Sequence, residues 1–370
     1  MILDSQKFAG LDRLIGGEIS FALFRLPGES DFKLIVQEKG EPKQLQAYED
    51  ISSEAGFVVA PFAVSKKNPI LLIHPDIYLD SDATISGYLK SSANQALKID
   101  TENFAHEVSV AKASYAKVFD LFNKELHNNS FDKLVLSRNY TIEKPDGFSW
   151  RENLLRAGLL YSDAFVYLFY TPATGCWMGA TPEILLSGSE GIYTTVALAG
   201  TMKSGISIKP EWSTKNKGEQ NVVVRYMRER IGAFSDSYEE FGPDTIKAGD
   251  LIHLKSTFHF KVSKDLSLGK MLSMFHPTPA VCGLPKEKAY QFIIDHEGYN
   301  RSYYSGFLGP VMDKEAIHVY VNLRCMHENG NKLTLYAGGG ILPQPEVTDE
   351  WQETENKLQT MLRLLVKSDN

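Results

Sequence analysis

Along most of the chain apolar and polar residues alternate with a period of two, the signature of half-buried strands, and a few stretches of helical spacing interrupt them. Up to about residue 91 the alternation predicts short strands over 20–26, 32–37, 56–59 and 70–74, with Pro27-Gly28-Glu29-Ser30 as the first turn. This region reads as scaffold sheet. From Phe104 the apolar residues Val108, Ala111, Tyr115, Val118, Phe119 and Phe122 recur at helical spacing, and His127-Asn-Asn-Ser130 stops that helix. Ser149-Trp-Arg-Glu152 has the form of a capping box for a helix through Leu160. Strands are predicted over 164–170, 177–180, 193–198 and 251–262.

Several charged residues interrupt this pattern where an apolar residue would be expected. In the strand 131–138, Lys133 falls on one face between Phe131 and Val135, while Leu134 and Leu136 line the other. It is either an edge-strand gatekeeper or a partly desolvated amine suited to act as a general base. Glu183 sits between Pro182 and the apolar Ile184-Leu-Leu186. It is either an exposed turn residue or a carboxylate whose desolvation raises its pKa, as a general acid at neutral pH requires. Lys215-Asn-Lys-Gly-Glu-Gln-Asn221 opens a helix with an inward stripe of Val222, Val223, Tyr226, Met227 and Ile231, headed by Glu219. That glutamate either serves the helix dipole or binds a metal.

Further on, His276-Pro-Thr-Pro-Ala-Val-Cys-Gly-Leu-Pro285 predicts a rigid loop holding one histidine, with Pro285 opening the next helix, which ends near Glu297 and Arg301. A single strand over 316–326 sets Ile317, Val319, Val321 and Leu323 against His318, Tyr320, Asn322 and Arg324, so Arg324 is free to fork a carboxylate. The chain is organised around residues 336–357: a strand end, the turn Gly338-Gly339-Gly340, two prolines and a helix. That helix carries Glu350, Glu353 and Lys357 on one stripe beside Trp351, Leu358, Met361, Leu362 and Leu365. The stripe is either a solvated face or, with the uncovered glycine amides, a place for a cation and an anion together.

With 43% hydrophobic and 11% aromatic residues among 370, the chain can bury a large core, and it reads as one domain over 1–370, with scaffold to about 100 and catalytic region over 101–366. A net charge of −7 offers no electrostatic footprint for nucleic acid or an anionic membrane. Asp4, Lys7, Asp12 and Arg13 interrupt any secretory apolar run, no segment approaches a membrane span, and a cytoplasmic location is expected. Cys176, Cys282 and Cys325 lack paired spacing and read as reduced core thiols.

Taken together, Lys133-Leu-Val-Leu-Ser-Arg138, Gly179-Ala-Thr-Pro-Glu183, Leu198-Ala-Gly-Thr201, 215–219, His276-Pro-Thr-Pro-Ala280, 297–306 and 336–357 resemble the chorismate-utilising enzymes, which comprise the isochorismate, salicylate, anthranilate and aminodeoxychorismate synthases. The match runs over about 100–365 in consistent order. The resemblance implies an α+β fold: large antiparallel sheets packed as a sandwich, helices outside, and an active site with Mg²⁺ in the cleft between the sheets. It casts Lys133 as the base that activates water and Glu183 as the acid that protonates the departing C4 hydroxyl. Glu219 and Glu353 become Mg²⁺ ligands, with Glu350 acting directly or through water. Arg324, Gly338, Gly339, Gly340 and Lys357 would hold the substrate carboxylates, and Gly200, Thr201 and His276 would lie against the ring. Gln220 departs from the pattern, standing where a histidine commonly follows the metal-binding glutamate.

The activity implied is an isomerase converting chorismate to isochorismate for menaquinone or a catecholate siderophore, with the small molecule as sole partner and a monomer as the working expectation. Lys133 stands where the anthranilate branch has glutamine, and Ala199 where aminodeoxychorismate synthases carry a lysine, which leaves water as the nucleophile. The alternatives are a salicylate synthase, an ammonia-using component paired with a glutaminase, and a non-catalytic chorismate-binding protein.

Overall fold

The computed structural model describes residues 4, 6–91, 109–203, 211–248, 251–263, 266–312, 316–342 and 346–365. In chain order the first strands are β1 Ser20–Arg25, β2 Lys33–Gln37, β3 Lys43–Leu45, β4 Gly56–Ala60, β5 Ile70–Ile73 and β6 Ile77–Leu79. Then come β7 Lys133–Glu143, β8 Phe165–Thr171, β9 Gly175–Thr181, β10 Ile184–Ser189, β11 Ile192–Lys203, β12 Tyr238–Ala248 and β13 Leu251–Lys261. The last are β14 Gly283–Leu284, β15 Phe307–Val311, β16 Ile317–Val321, β17 Cys325–Asn329 and β18 Lys332–Ile341. The helices are α1 Leu11–Leu14, α2 Asp82–Ser91, α3 Lys112–His127, α4 Trp150–Leu160, α5 Thr214–Gly232, α6 Leu268–Phe275, α7 Lys286–His296 and α8 Val347–Leu362.

The strands form two nine-stranded sheets, ordered β14-β7-β18-β17-β9-β8-β1-β2-β6 and β12-β13-β11-β10-β16-β15-β4-β5-β3. Neighbours pair antiparallel throughout, as in β7 on β18 and β11 on β13. The central strands β1, β8 and β9 of the first sheet are buried on both faces and so read as unbroken buried runs. Their facing sides interdigitate through Phe24, Phe57, Phe165, Tyr167, Trp177 and Tyr320. The Phe165 and Tyr320 rings stack 4.3 Å apart and 2° from parallel across that interface. The outer side of the first sheet packs on α1, α2, α4 and α8, and that of the second on α5 and α6. The α+β sandwich expected from the sequence is thus present. The early strands enter both sheets, β1 beside β8 and β4 beside β15.

Helix α4 begins where its cap predicts, with the Ser149 side chain accepting from Glu152 N. Helix α3 confirms the apolar spacing from Tyr115 to Phe122, while Phe104 and Val108 lie outside the described residues. The expected strand over 316–326 is instead two strands in different sheets, β16 and β17. The chain crosses at Asn322-Leu323-Arg324, with Arg324 at φ 49° and Asn322 bonded to Tyr303 O and to the Tyr167 hydroxyl. Beside it, Pro182-Glu183 carries the chain from β9 to β10. The two crossings are laced by Val321 N to Glu183 O at 2.9 Å and Ala180 N to Arg324 O at 3.1 Å.

The triple glycine is also not a turn: Gly338, Gly339 and Gly340 continue β18 opposite Ser137, Leu136 and Val135. In α5 the inward stripe takes Val224 and Gln220 in place of half-buried Val222. Gln220 spans to the second sheet, donating to Ala197 O and Ser256 Oγ and accepting from Ala199 N.

Candidate active site

The two sheet crossings place Glu183 and Arg324 at one end of the inter-sheet space, and the glycine strand forms the opposite wall. Glu183, Gly200, Thr201, Glu219, Arg324, Gly338, Gly339, Gly340 and Lys357 line a single cavity of about 60 Å³. Lys133, Glu350 and Glu353 stand against that glycine wall. A Cβ on Gly340 would overlap Glu219 Oε1 and come within 2.7 Å of Lys133 Cε. One on Gly339 would meet Glu350 Oε2 at 3.2 Å and Glu353 Oε1 at 3.4 Å. The glycines therefore make room for carboxylates, a reason distinct from the turn freedom expected of them.

Lys133 is wholly buried, which removes the edge-gatekeeper reading. Its Nζ lies 2.9 Å from Glu219 Oε1 yet makes no aligned hydrogen bond. The strand that carries it is pinned by a buried fork. Arg301 donates to both Glu297 oxygens at 2.6 Å and to Val281 O and Val135 O, while Glu297 accepts from Ser137 N. Arg138 ties the same strand to α8, lying 3.8 Å over Trp351 and bonding to Thr354 and Glu355.

Glu183 is 3% exposed, so it is not a turn residue in water. Burial pushes its carboxyl up to about 7 against the pull of Lys133, and its nearest donor is Thr278 Oγ1 at 3.5 Å. Glu219 is driven the other way: burial would raise it, but Lys133, Lys357 and Lys215 outweigh burial and hold it below the usual carboxylate range. Gly200, at φ 67° in a bulge of β11, donates its amide to Glu219 Oε2 at 3.2 Å. Glu350 is 1% exposed and heads the buried stripe of α8. Burial and the neighbouring charge of Glu353 push it up to about 7 despite its ion pair with Lys215. Lys357 donates to Glu353 Oε1 at 2.6 Å and to Gly338 O at 2.8 Å.

Arg324 is buried with no carboxylate in ion-pair range among the described residues, and burial lowers its pKa. Its bonds are long, 3.3 Å to Thr360 Oγ1 and 3.3 Å to His253 Nε2. The second ring nitrogen of His253 faces Thr201 Oγ1 at 3.2 Å, and burial followed by Arg324 keeps that imidazole neutral. A buried, unpaired guanidinium is costly, and its positive φ is a strained backbone state; both are compatible with a place kept for an anion.

His276 is not among the residues lining the cavity. Its ring is buried against Tyr48, Phe62 and Phe307, with Nε2 3.4 Å from Phe62 O, and burial holds it at about 3. The rigid loop contributes Thr278, Ala280 and Val281 instead. His253 lines the cavity without any sequence signal beyond a polar residue inside an apolar strand, and Tyr304 lies in a recognised motif, 297–306, that gave it no role. Lys215 belongs to a recognised motif that gave it no role.

The chorismate binding enzyme family model matches residues 50–366. Isochorismate synthase MenF of Escherichia coli K12 is 27% identical over 264 residues, covering 68% of this chain and 61% of that protein. Isochorismate synthase EntC of the same strain is 28% identical over 246 residues, covering 63% of this chain and 62% of that protein. The chain thus matches less than two thirds of the length of these relatives. The solved structure of MenF, described as the menaquinone-specific isochorismate synthase from E. coli, superposes with a TM-score of 0.75 at 20% identity, over 99% of this chain and 92% of that one. No helix among the described residues is long and apolar enough to cross a membrane. With its family model spanning most of the chain and the sandwich shared with a solved relative, the protein belongs to the chorismate binding enzyme family.

Proposed function

We propose that the protein is an isochorismate synthase, which adds water at C2 of chorismate and expels the C4 hydroxyl. The observation that carries this reading is a buried carboxyl pushed up to about 7, Glu183, in the same inter-sheet cleft as a wholly buried lysine amine, Lys133. Such a pair supplies an acid and a base to one ring. Lys133 Nζ, in its unprotonated form, takes a proton from water as the C2–O bond forms. The ring double bonds shift, and the C4–O bond breaks as Glu183 delivers its proton to the departing hydroxyl. One water enters and one leaves, so the net change is isomerisation. Arg324, with Lys357, receives the substrate's carboxylates. The names of the two curated relatives support the same reading.

The donor set fits Mg²⁺. Glu219, Glu350 and Glu353 are hard oxygen ligands converging on Gly339 and Gly340, and Glu350 Oε2 is buried with no partner of its own. In the lysine-paired arrangement, no three side chains of metal-binding type among the described residues surround one point. Held there, the ion would neutralise and orient a substrate carboxylate. Glu219 and Glu353 are proposed as ligands and Glu350 as a ligand directly or through water. The test is to incubate purified protein with chorismate and Mg²⁺, with and without ammonium, and to separate the products. A mixture of chorismate and isochorismate, insensitive to ammonium, is expected; salicylate with pyruvate, or an amine product, would overturn the assignment.

A further inference from the structure

Each glutamate of the cluster is paired with a different lysine. Glu219 pairs with Lys133 at 2.9 Å, Glu353 with Lys357 at 2.6 Å, and Glu350 Oε1 with Lys215. With each glutamate facing a lysine, the cluster carries little net charge in this arrangement. A divalent cation entering it would add two positive charges to a buried site, a costly change unless a lysine departs. The three lysines differ in their freedom to do so. The Lys133 side chain is 0% exposed and that of Lys357 13%, whereas that of Lys215 is 41% exposed. Lys133 is fixed on β7, paired on both sides by β14 and β18, and Lys357 also bonds Gly338 O, while Lys215 lies in the first turn of α5 and reaches across to α8.

We propose that Lys215 is an internal stand-in for the cation: it occupies Glu350 when the metal is absent and swings to solvent when the metal binds. This rests on the reading of the glutamates as a cation site. The unequal freedom of the three lysines and one further observation carry it beyond that reading. The second oxygen of Glu350, buried and unpartnered, faces the same point over Gly339 as Glu353 Oε1, so the half of the carboxylate that Lys215 does not hold already faces the cluster. Lys215 thus acts as a positioning residue that sets the affinity for metal and fastens α5 to α8 in its absence.

The test is calorimetric titration of Mg²⁺ and Mn²⁺ at fixed pH into the wild-type protein, Lys215→Met and Lys215→Arg, without substrate. Removing the competing charge should tighten binding about tenfold in Lys215→Met, about 1.4 kcal/mol, while Lys215→Arg stays near wild type. Unchanged or weaker binding in Lys215→Met would overturn the proposal while leaving the cation site intact. Absence of binding in all three proteins would overturn the site and this role together. Because Lys215→Met strands a buried Glu350, the wild-type protein provides a second readout, the acetylation rate of the Lys215 amine followed by mass spectrometry. Saturating Mg²⁺ should raise it several-fold, and a rate unaffected by bound metal would refute the displacement.

Discussion

The space between the sheets is filled by rings at one end and by charges at the other. At the closed end, Phe24, Phe57 and Phe165 pack ring against ring with no polar side-chain atom among them, and Tyr320 stacks on Phe165. At the open end, Lys133, Glu183, Glu219, Arg324 and Glu350 are buried too, in a setting where charge is expensive. The same sandwich supports both. The open end differs in two respects: the chain crosses between sheets there, at Pro182-Glu183 and Asn322-Leu323-Arg324, and its wall strand carries three glycines. Crossings aim side chains along the seam, and missing Cβ atoms give carboxylates the volume that rings occupy elsewhere. The closed end should therefore govern stability, and the open end should hold groups that cost stability and supply chemistry.

The largest break in that comparison is expected from Lys133→Ala. Turnover should fall roughly a hundred- to ten-thousand-fold, with chorismate binding by calorimetry largely kept, since the amine acts on water and not on the carboxylates. Near-normal rates would remove Lys133 as base. At the closed end, Phe165→Ala should cost about 3–5 kcal/mol in denaturant unfolding while leaving kcat of the folded fraction close to wild type. Activity lost in step with the cavity would deny that the two ends are separable.

Glu183 sharpens the contrast because it should be better for stability when absent. Its folded pKa is about 7 against an ordinary 4.5. Between those values the folded chain holds a proton that the unfolded chain has lost, so stability falls as pH rises through the window and the full cost applies above it. Glu183→Gln should thus gain up to about 3 kcal/mol at pH 8 relative to pH 4, measured by denaturant melts of both proteins, yet be inactive. Wild-type activity should decline as pH climbs through about 7, where the acid is lost. A variant with the wild-type pH dependence of stability would refute the assignment of that carboxyl. The smallest effects concern the metal. Glu219→Gln and Glu353→Gln should each raise the Mg²⁺ concentration needed for half-maximal rate about tenfold or more, since each removes a charged oxygen. Glu350→Gln should be milder if it acts through water. An unchanged requirement in Glu353→Gln would sink the site as drawn.

The two ends also differ in how well the sequence discloses them. The scaffold strands and helices α4, α5 and α8 follow from period and caps, because local pattern and burial agree there. The seam resists the same reasoning. Ile317, Val319, Val321 and Leu323 keep one unbroken alternation across a change of sheet, and a period of two records which face is buried, not which sheet receives it. Three successive glycines imply conformational freedom, yet here they serve an extended strand whose neighbours need the room. Lys133 and Glu183 stand out as charges in apolar surroundings. The His276 ring does too, but it rests in an aromatic nest outside the cavity, and neutral His253, at the Arg324 guanidinium, gives no comparable signal. Pairings made by long-range contact, such as Lys215 with Glu350, have no local trace at all.

The central claim is that the cleft adds one water and removes another, with Lys133 and Glu183 on the two protons. The most direct measurement is turnover of chorismate with Mg²⁺ in water enriched in oxygen-18, read by mass spectrometry of the products. Isochorismate carrying one oxygen-18 in its new hydroxyl, with no label gained in the Lys133→Ala reaction, is the predicted result. Unlabelled isochorismate would contradict water as the nucleophile and with it the roles given to both residues.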